Sequence, residues 1–193
     1  MSLINKYFKN SSNTILTLQD HSAEIDKICE MILDISKNNL KILVAGNGGS
    51  CSDAEHFTGE LQCTYKSSNR KPISAISIGS LPAAITAWSN DFGFLTYFKR
   101  QVSAHGNPND ILFLITTGGG TEHNGASMNL VEAAKEAKEK KMKIVTLSGK
   151  SGGILKDLSD VNIIVKSDVT SHIQESHIAI LHCICEILEN RIN

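Results

Sequence analysis

The stretch Ile42-Leu43-Val44-Ala45-Gly46-Asn47-Gly48-Gly49-Ser50, continued by Cys51-Ser52-Asp53-Ala54-Glu55-His56-Phe57-Thr58-Gly59-Glu60, decides how this chain reads. Its apolar opening, ended by glycine, has the make-up of a strand buried on both faces. Small residues then turn the chain, and Ser50, Ser52 and Asp53 supply helix-start chemistry ahead of good helix formers. Strand, glycine turn and helix N-terminus together aim backbone N–H groups and the positive end of a helix at an anion. His56 and Glu60, four residues apart, share one face of that helix. The turn has neither the GxGxxG spacing of dinucleotide sites nor the lysine of a Walker loop. A phosphate cradle with an imidazole and a carboxylate further along the same helix points to an enzyme acting on a phosphorylated small molecule.

Outward from this stretch, apolar runs recur at 41–45, 74–78, 111–116, 143–147 and 162–165. Helical patterns lie between or after them, at 52–65, 81–89 continuing through 94–103, 129–141, near Ile154, and 171–189. Most of the runs are too apolar for half-exposed antiparallel strands, and the spacers are long enough for crossovers. The alternation predicts a three-layer αβα sandwich around a five-stranded parallel sheet. Residues 1–39 read as helical, with Ile25, Ile28, Cys29, Ile32, Leu33 and Ile35 at helical spacing. Two helices ahead of the first strand exceed what the sheet faces need, so this extension is expected to pack on a second subunit.

Ligands of such sheets sit beyond the carboxyl ends of strands. A second loop fits that rule: Thr116-Thr117-Gly118-Gly119-Gly120-Thr121, whose hydroxyls and three glycines can wrap a phosphate. Ser148-Gly149-Lys150-Ser151-Gly152-Gly153 follows an outer strand without catalytic-type neighbours and reads as a structural turn.

Composition narrows the class. With 41% hydrophobic and 20% charged residues over 193, the chain is long enough to bury a proper core as one domain. A net charge of −1 gives no electrostatic case for nucleic acid or an anionic membrane. The first ten residues lack a signal-peptide apolar region, and no run approaches a membrane span. Five cysteines (Cys29, Cys51, Cys63, Cys183, Cys185) fit no disulfide framework and are expected to be reduced core thiols. The expected location is cytoplasmic.

Taken together, Ala45-Gly46-Asn47-Gly48-Gly49-Ser50, Asp53-Ala54, His56-Phe57, Glu60-Leu61, Asn90-Asp91-Phe92-Gly93-Phe94, Thr146-Leu147-Ser148-Gly149-Lys150 and Ile173-Gln174-Glu175-Ser176-His177-Ile178 resemble the phosphoheptose isomerases of the sugar isomerase (SIS) family. The resemblance runs from about residue 40 to 189. It implies an SIS-type, flavodoxin-like domain over 1–193 and a homotetramer with sites built between adjacent subunits. It implies conversion of D-sedoheptulose 7-phosphate to D-glycero-D-manno-heptose 7-phosphate through an enediol, the first step toward heptoses of bacterial lipopolysaccharide or capsule. It also implies one Zn²⁺ per site. By matching motifs, the metal ligands are His56, Glu60, Gln174 and His182, with Glu60 as general base and His182 as partner acid/base. Substrate contacts come from Asn47, Gly48, Gly49, Ser50, Glu60, Asn90, Asp91, Thr116, Thr117, Gly118 and Gln174, with either Thr121 or Ser127 as a further hydroxyl.

Spacing by itself does not choose among His172, His177 and His182 on the last helix; only the resemblance singles out His182. The chain departs from the family where Ser-Thr-Ser-Gly-Asn-Ser is replaced by 116–121 with about six extra residues before Asn129. Thr64 stands in place of an arginine, and Ser171-His172 in place of Asp-Arg or Ala-Arg. Two other readings follow from the same features. One is an isomerase or sensor for another phosphosugar. The other is a non-catalytic SIS scaffold binding a replication initiator, against which the presence of both Glu60 and His182 argues.

Overall fold

The structure, a computed structural model, describes residues 1–123 and 125–192. Among these, five strands form one sheet in the order β2-β1-β3-β4-β5, every pair parallel. They are β1 (Ile42–Gly46), β2 (Ala75–Ser77), β3 (Ile111–Ile115), β4 (Lys143–Gly149) and β5 (Val161–Val165). The helices are α1 (Leu3–Leu16), α2 (Ser22–Lys37), α3 (Gly49–Gln62), α4 (Pro82–Phe92), α5 (Tyr97–His105), α6 (Met128–Glu139), α7 (Leu155–Leu158) and α8 (Thr170–Arg191). The segment read as one interrupted helix over 81–103 is broken at Gly93, whose φ of 82° ends α4 before a 3₁₀ turn at Phe94–Thr96.

The period-two alternation of strand side chains divides the core into two layers. Ile42, Val44, Ile111, Phe113 and Val145 face α2, α3 and α8. Leu43, Ala45, Leu112, Leu114 and Ile144 face α5 and α6. Every residue of β1 and β3 is buried, as their continuous apolar runs require.

The N-terminal extension divides in two. Helix α2 buries Ile25, Ile28, Ile32 and Ile35 in this chain's own core, covering the sheet beside α8. Helix α1 lies on α8, where Tyr7 and Ser11 each donate at 2.5 Å to the Glu175 carboxylate. Flanking that contact stripe, Leu3, Ile4 and Phe8 are exposed, and a second group of exposed large apolar side chains, Leu81, Phe92, Phe94 and Leu95, lies around α4. Of the cysteines, Cys29 and Cys185 are buried core thiols; Cys63 and Cys183 are exposed, a correction to the core reading. No helix among the described residues is long and apolar enough to cross a membrane.

Candidate active site

The strand order places the reversal of direction between β1 and β3, so the crevice of this sheet opens beyond their carboxyl ends. A cleft of about 450 Å³ lies there, lined among others by Gly46, Asn47, Gly48, Cys51, Ser127 and Asn129. The turn after β1 can only be made from glycine. A Cβ on Gly46 would lie 2.4 Å from the Ser50 carbonyl oxygen, and Gly48 holds φ 56°, ψ −124°, which L side chains avoid. The amides of Ser50 and Cys51 close the turn on the carbonyls of Asn47 and Gly48. Helix α3 starts at once, and α6 starts just after Ser127, so two helix N-termini flank the cleft and favour an anion in it.

The two loops are tied together by Asn47 and Asn129, whose side-chain amides donate to each other at 2.9 and 3.0 Å. The sequence reading missed Asn129, since an asparagine opening a helix reads as a cap. Thr116 is buried beneath the second loop. Its hydroxyl accepts from the amides of Gly118 and Gly119 and pairs with Ser127 Oγ at 3.0 Å. Of the two hydroxyls left open, Ser127 lines the cleft, while Thr121 lines a separate hollow with Gly118 and Lys156. Thr117 and Gly118 are half-buried at the loop tip. The third glycine turn is structural: Ile154 and Leu155 donate to the carbonyls of Gly120 and Gly119 and brace the second loop from behind. Asn90 and Asp91 sit at the exposed end of α4, Asn90 donating to Asp91 at 2.8 Å, outside the cleft lining of this chain.

The second cluster lies along the seam between α3 and α8. His56 Nε2 meets Glu60 Oε1 at 3.1 Å, and the His182 ring stands edge-on to His56 with centroids 5.2 Å apart. Tyr65 closes the far side of His182 at 6.1 Å. The other α8 histidines face elsewhere. His177 is fully buried and donates from Nε2 to the Ser148 carbonyl at 3.1 Å. Burial outweighs that bond and lowers its pKa to about 4, so the ring is neutral. His172 packs against the ring of Tyr7. Tertiary packing thus separates three histidines that spacing could not.

Gln174 does not join that cluster within one chain. It precedes His182 by eight residues, about 12 Å of helix rise, and its side chain lies where a Cβ on Gly49 would be. Gly49 therefore packs on Gln174, and Ser50 is buried under the turn. Glu60 stands eleven residues beyond Gly49, about 16 Å along α3, farther than a seven-carbon phosphosugar reaches.

Two imidazoles and a carboxylate are donor types zinc accepts. His56, Glu60 and His182 gather them on one partly exposed patch, so the donor set fits such an ion. As placed, His56 Nε2 faces Glu60, and no three His, Cys, Asp or Glu side chains among the described residues form a closed ligand group. Binding would require Glu60 to turn and a fourth donor to arrive.

The model of the SIS domain matches residues 6–149, three quarters of the chain but short of α8. The phosphoheptose isomerase 1 of Campylobacter jejuni is 39% identical over 189 residues, 98% of either chain. The chain belongs to the phosphoheptose isomerase family. A solved phosphoheptose isomerase from Francisella tularensis superposes with a TM-score of 0.89 at 36% identity, covering 97% of this chain and 96% of that one. One from Neisseria gonorrhoeae gives 0.88 at 31%, covering 97% of each. These matches extend through α8, so family membership includes the helix that carries Gln174 and His182.

Proposed function

We infer that this chain is an aldose–ketose isomerase converting D-sedoheptulose 7-phosphate to D-glycero-D-manno-heptose 7-phosphate. The observation that carries this reading is the meeting of Glu60, His56 and His182 across the α3–α8 seam in a member of this family. The cleft between the β1 and β3 loops takes the phosphate on backbone amides and Ser127, and fixes the sugar by that end.

The reaction moves a carbonyl from C2 to C1. Glu60 takes the proton from C1, leaving an enediol, and returns a proton to C2; His182 carries the hydroxyl proton from O1 to O2. A Zn²⁺ held by His56, Glu60, Gln174 and His182 supplies, when bound, polarisation of the carbonyl and spreading of enediolate charge.

The helical distances favour a site shared between protomers of a homotetramer. One chain separates its phosphate cradle from Glu60 by about 16 Å and Gln174 from His182 by about 12 Å. A second protomer can bring a complementary end beside each, and Asn90 and Asp91, on an exposed helix end with Phe92 and Leu95 nearby, are free to reach across. The enzyme works in the cytoplasm, where its free thiols stay reduced.

Incubating the purified chain with sedoheptulose 7-phosphate, with metal analysis of the same sample, tests this reading. Aldose formation and about one zinc per chain are expected. The longer second loop, folded back by the Thr121 amide donating to Ala126, gives one alternative a foothold: a different phosphosugar. Turnover of another ketose phosphate but not this one would move the assignment there.

A further inference from the structure

One buried ion pair has no part in the reaction just described. Arg70 lies in the loop after α3, and Glu189 lies near the end of α8. Their side chains are 2% and 9% exposed, with Arg70 Nε 3.4 Å from Glu189 Oε2. Arg70 Nη2 donates to the backbone carbonyl of Glu60 at 2.5 Å, and Nη1 donates to those of Leu61 and Lys71 at 3.1 and 2.9 Å. Glu189 Oε1 accepts from the amides of Lys66 and Ser67.

These contacts meet a specific need. The last carbonyls of a helix have no partner within it, and the final turn is where helices fray. Glu60 sits two residues from the end of α3, in that turn. The guanidinium supplies the donor for the Glu60 carbonyl and a second one for that of Leu61, which also accepts from the Ile73 amide, and its charge suits a helix C-terminus. Its carboxylate partner belongs to the helix that bears His182. One pair therefore joins the end of the Glu60 helix to the His182 helix, across a seam of Glu60, Tyr65, Cys185 and Leu188 with no room for water.

We propose that the Arg70–Glu189 pair is a positioning device for proton transfer: by clamping the end of α3 to α8 it holds Glu60 at the height and rotation from which it works with His182. This rests on the reading of Glu60 and His182 as the proton-transfer pair. Misplacing a reacting group by about 1 Å can cost on the order of a hundredfold in rate. The pair should thus govern kcat more than KM, because the phosphate is held about 16 Å from this chain's Glu60, at the N-terminal end of an α3 that the shared-site reading assigns to a second protomer.

The test uses the full chain and sedoheptulose 7-phosphate, comparing Arg70→Lys and Glu189→Gln with Glu60→Gln and a control, Lys41→Met. Lys41 pairs with buried Asp110 at 2.6 Å, where β1 and β3 begin, at the opposite end of the sheet. Lysine keeps the charge but cannot bridge several acceptors as the planar fork does. Arg70→Lys is expected to lower kcat about tenfold with KM within about twofold, a fraction of the cost of full misplacement. Glu189→Gln, which retains an oxygen for Lys66 and Ser67, is expected to lower kcat in the same sense and serves where Arg70→Lys folds poorly. Lys41→Met is expected to lower the melting temperature and leave kcat unchanged. If Glu60→Gln is inactive while both strap variants melt earlier yet keep full kcat, the pair is structural only and the proposal falls. If Glu60→Gln retains full activity, the proton-transfer reading fails first and takes the proposal with it.

Discussion

The two ends of α3 are built on opposite terms. At its N-terminus the anion-facing wall of the cleft is made of backbone, with glycine turns, two helix starts and an amide pair, and the opposite wall is apolar, with Ile85, Phe94 and Phe98. Toward its C-terminus the chemistry is made of side chains, with His56 exposed, Glu60 and His182 half-exposed, and a dry ion pair beneath. A site made of backbone is sensitive to an added methyl group and tolerant of polar exchange. A site made of side chains is the reverse, and its open face is where the proposed second protomer would contribute.

The largest expected effect tests the side-chain end. Glu60→Gln should lower kcat by roughly 10²–10⁴-fold, the usual worth of a general base, with KM close to the parent. A KM change of the same size would place Glu60 in binding instead. His182→Ala should lose both rate and zinc; full metal content with full rate would remove His182 from both roles.

Gly48→Ala sharpens the contrast at the other end. Forcing a side chain into φ 56°, ψ −124° costs about 1–3 kcal/mol. It should raise KM for the phosphosugar while the chemistry at Glu60 is kept. A variant with unchanged KM would show that the turn does not hold the phosphate.

His177 gives a prediction in pH. Its folded pKa of about 4 lies below the ordinary histidine value, so the unfolded chain binds the proton more readily. Stability is therefore full above about pH 6.5 and falls as pH drops toward 4, by about 2 kcal/mol between pH 6.5 and 5. Denaturant melts of the parent and of His177→Gln at both pH values should show the variant losing less. Equal losses would mean that other groups carry the acid sensitivity.

The smallest effect separates two hydroxyls. Ser127→Ala should weaken phosphosugar binding by about 1 kcal/mol, one hydrogen bond's worth, and Thr121→Ala should leave KM unchanged. The opposite result would move the phosphate into the hollow beside Lys156.

Much of this was legible from residue order alone. The continuous apolar runs gave the buried parallel strands, and the glycine turn after 42–45 gave the start of α3, because both signals are local. Strand ends shifted by one or two residues, since hydrogen bonding and not hydrophobicity sets them. The extension was only half legible: the periodicity of α2 announces a buried face without naming its partner, and that partner is β5 and α8 of the same chain.

What the sequence determined unaided is the chemistry on offer: a cradle for an anion, His56 beside Glu60 by the helical period, and a fold class with its crevice at strand ends. What only tertiary structure decided is which distant groups meet. His182 meets His56, while His177 turns to the Ser148 carbonyl and His172 to Tyr7, a difference that spacing on α8 does not contain. The course of the second loop puts Ser127 in the cleft and Thr121 in a separate hollow, and the loop after α3 brings Arg70 to the Glu60 carbonyl. The reason is physical: periodicity along a helix fixes neighbours three and four residues apart, whereas contacts between helices depend on how two surfaces pack around a shared core.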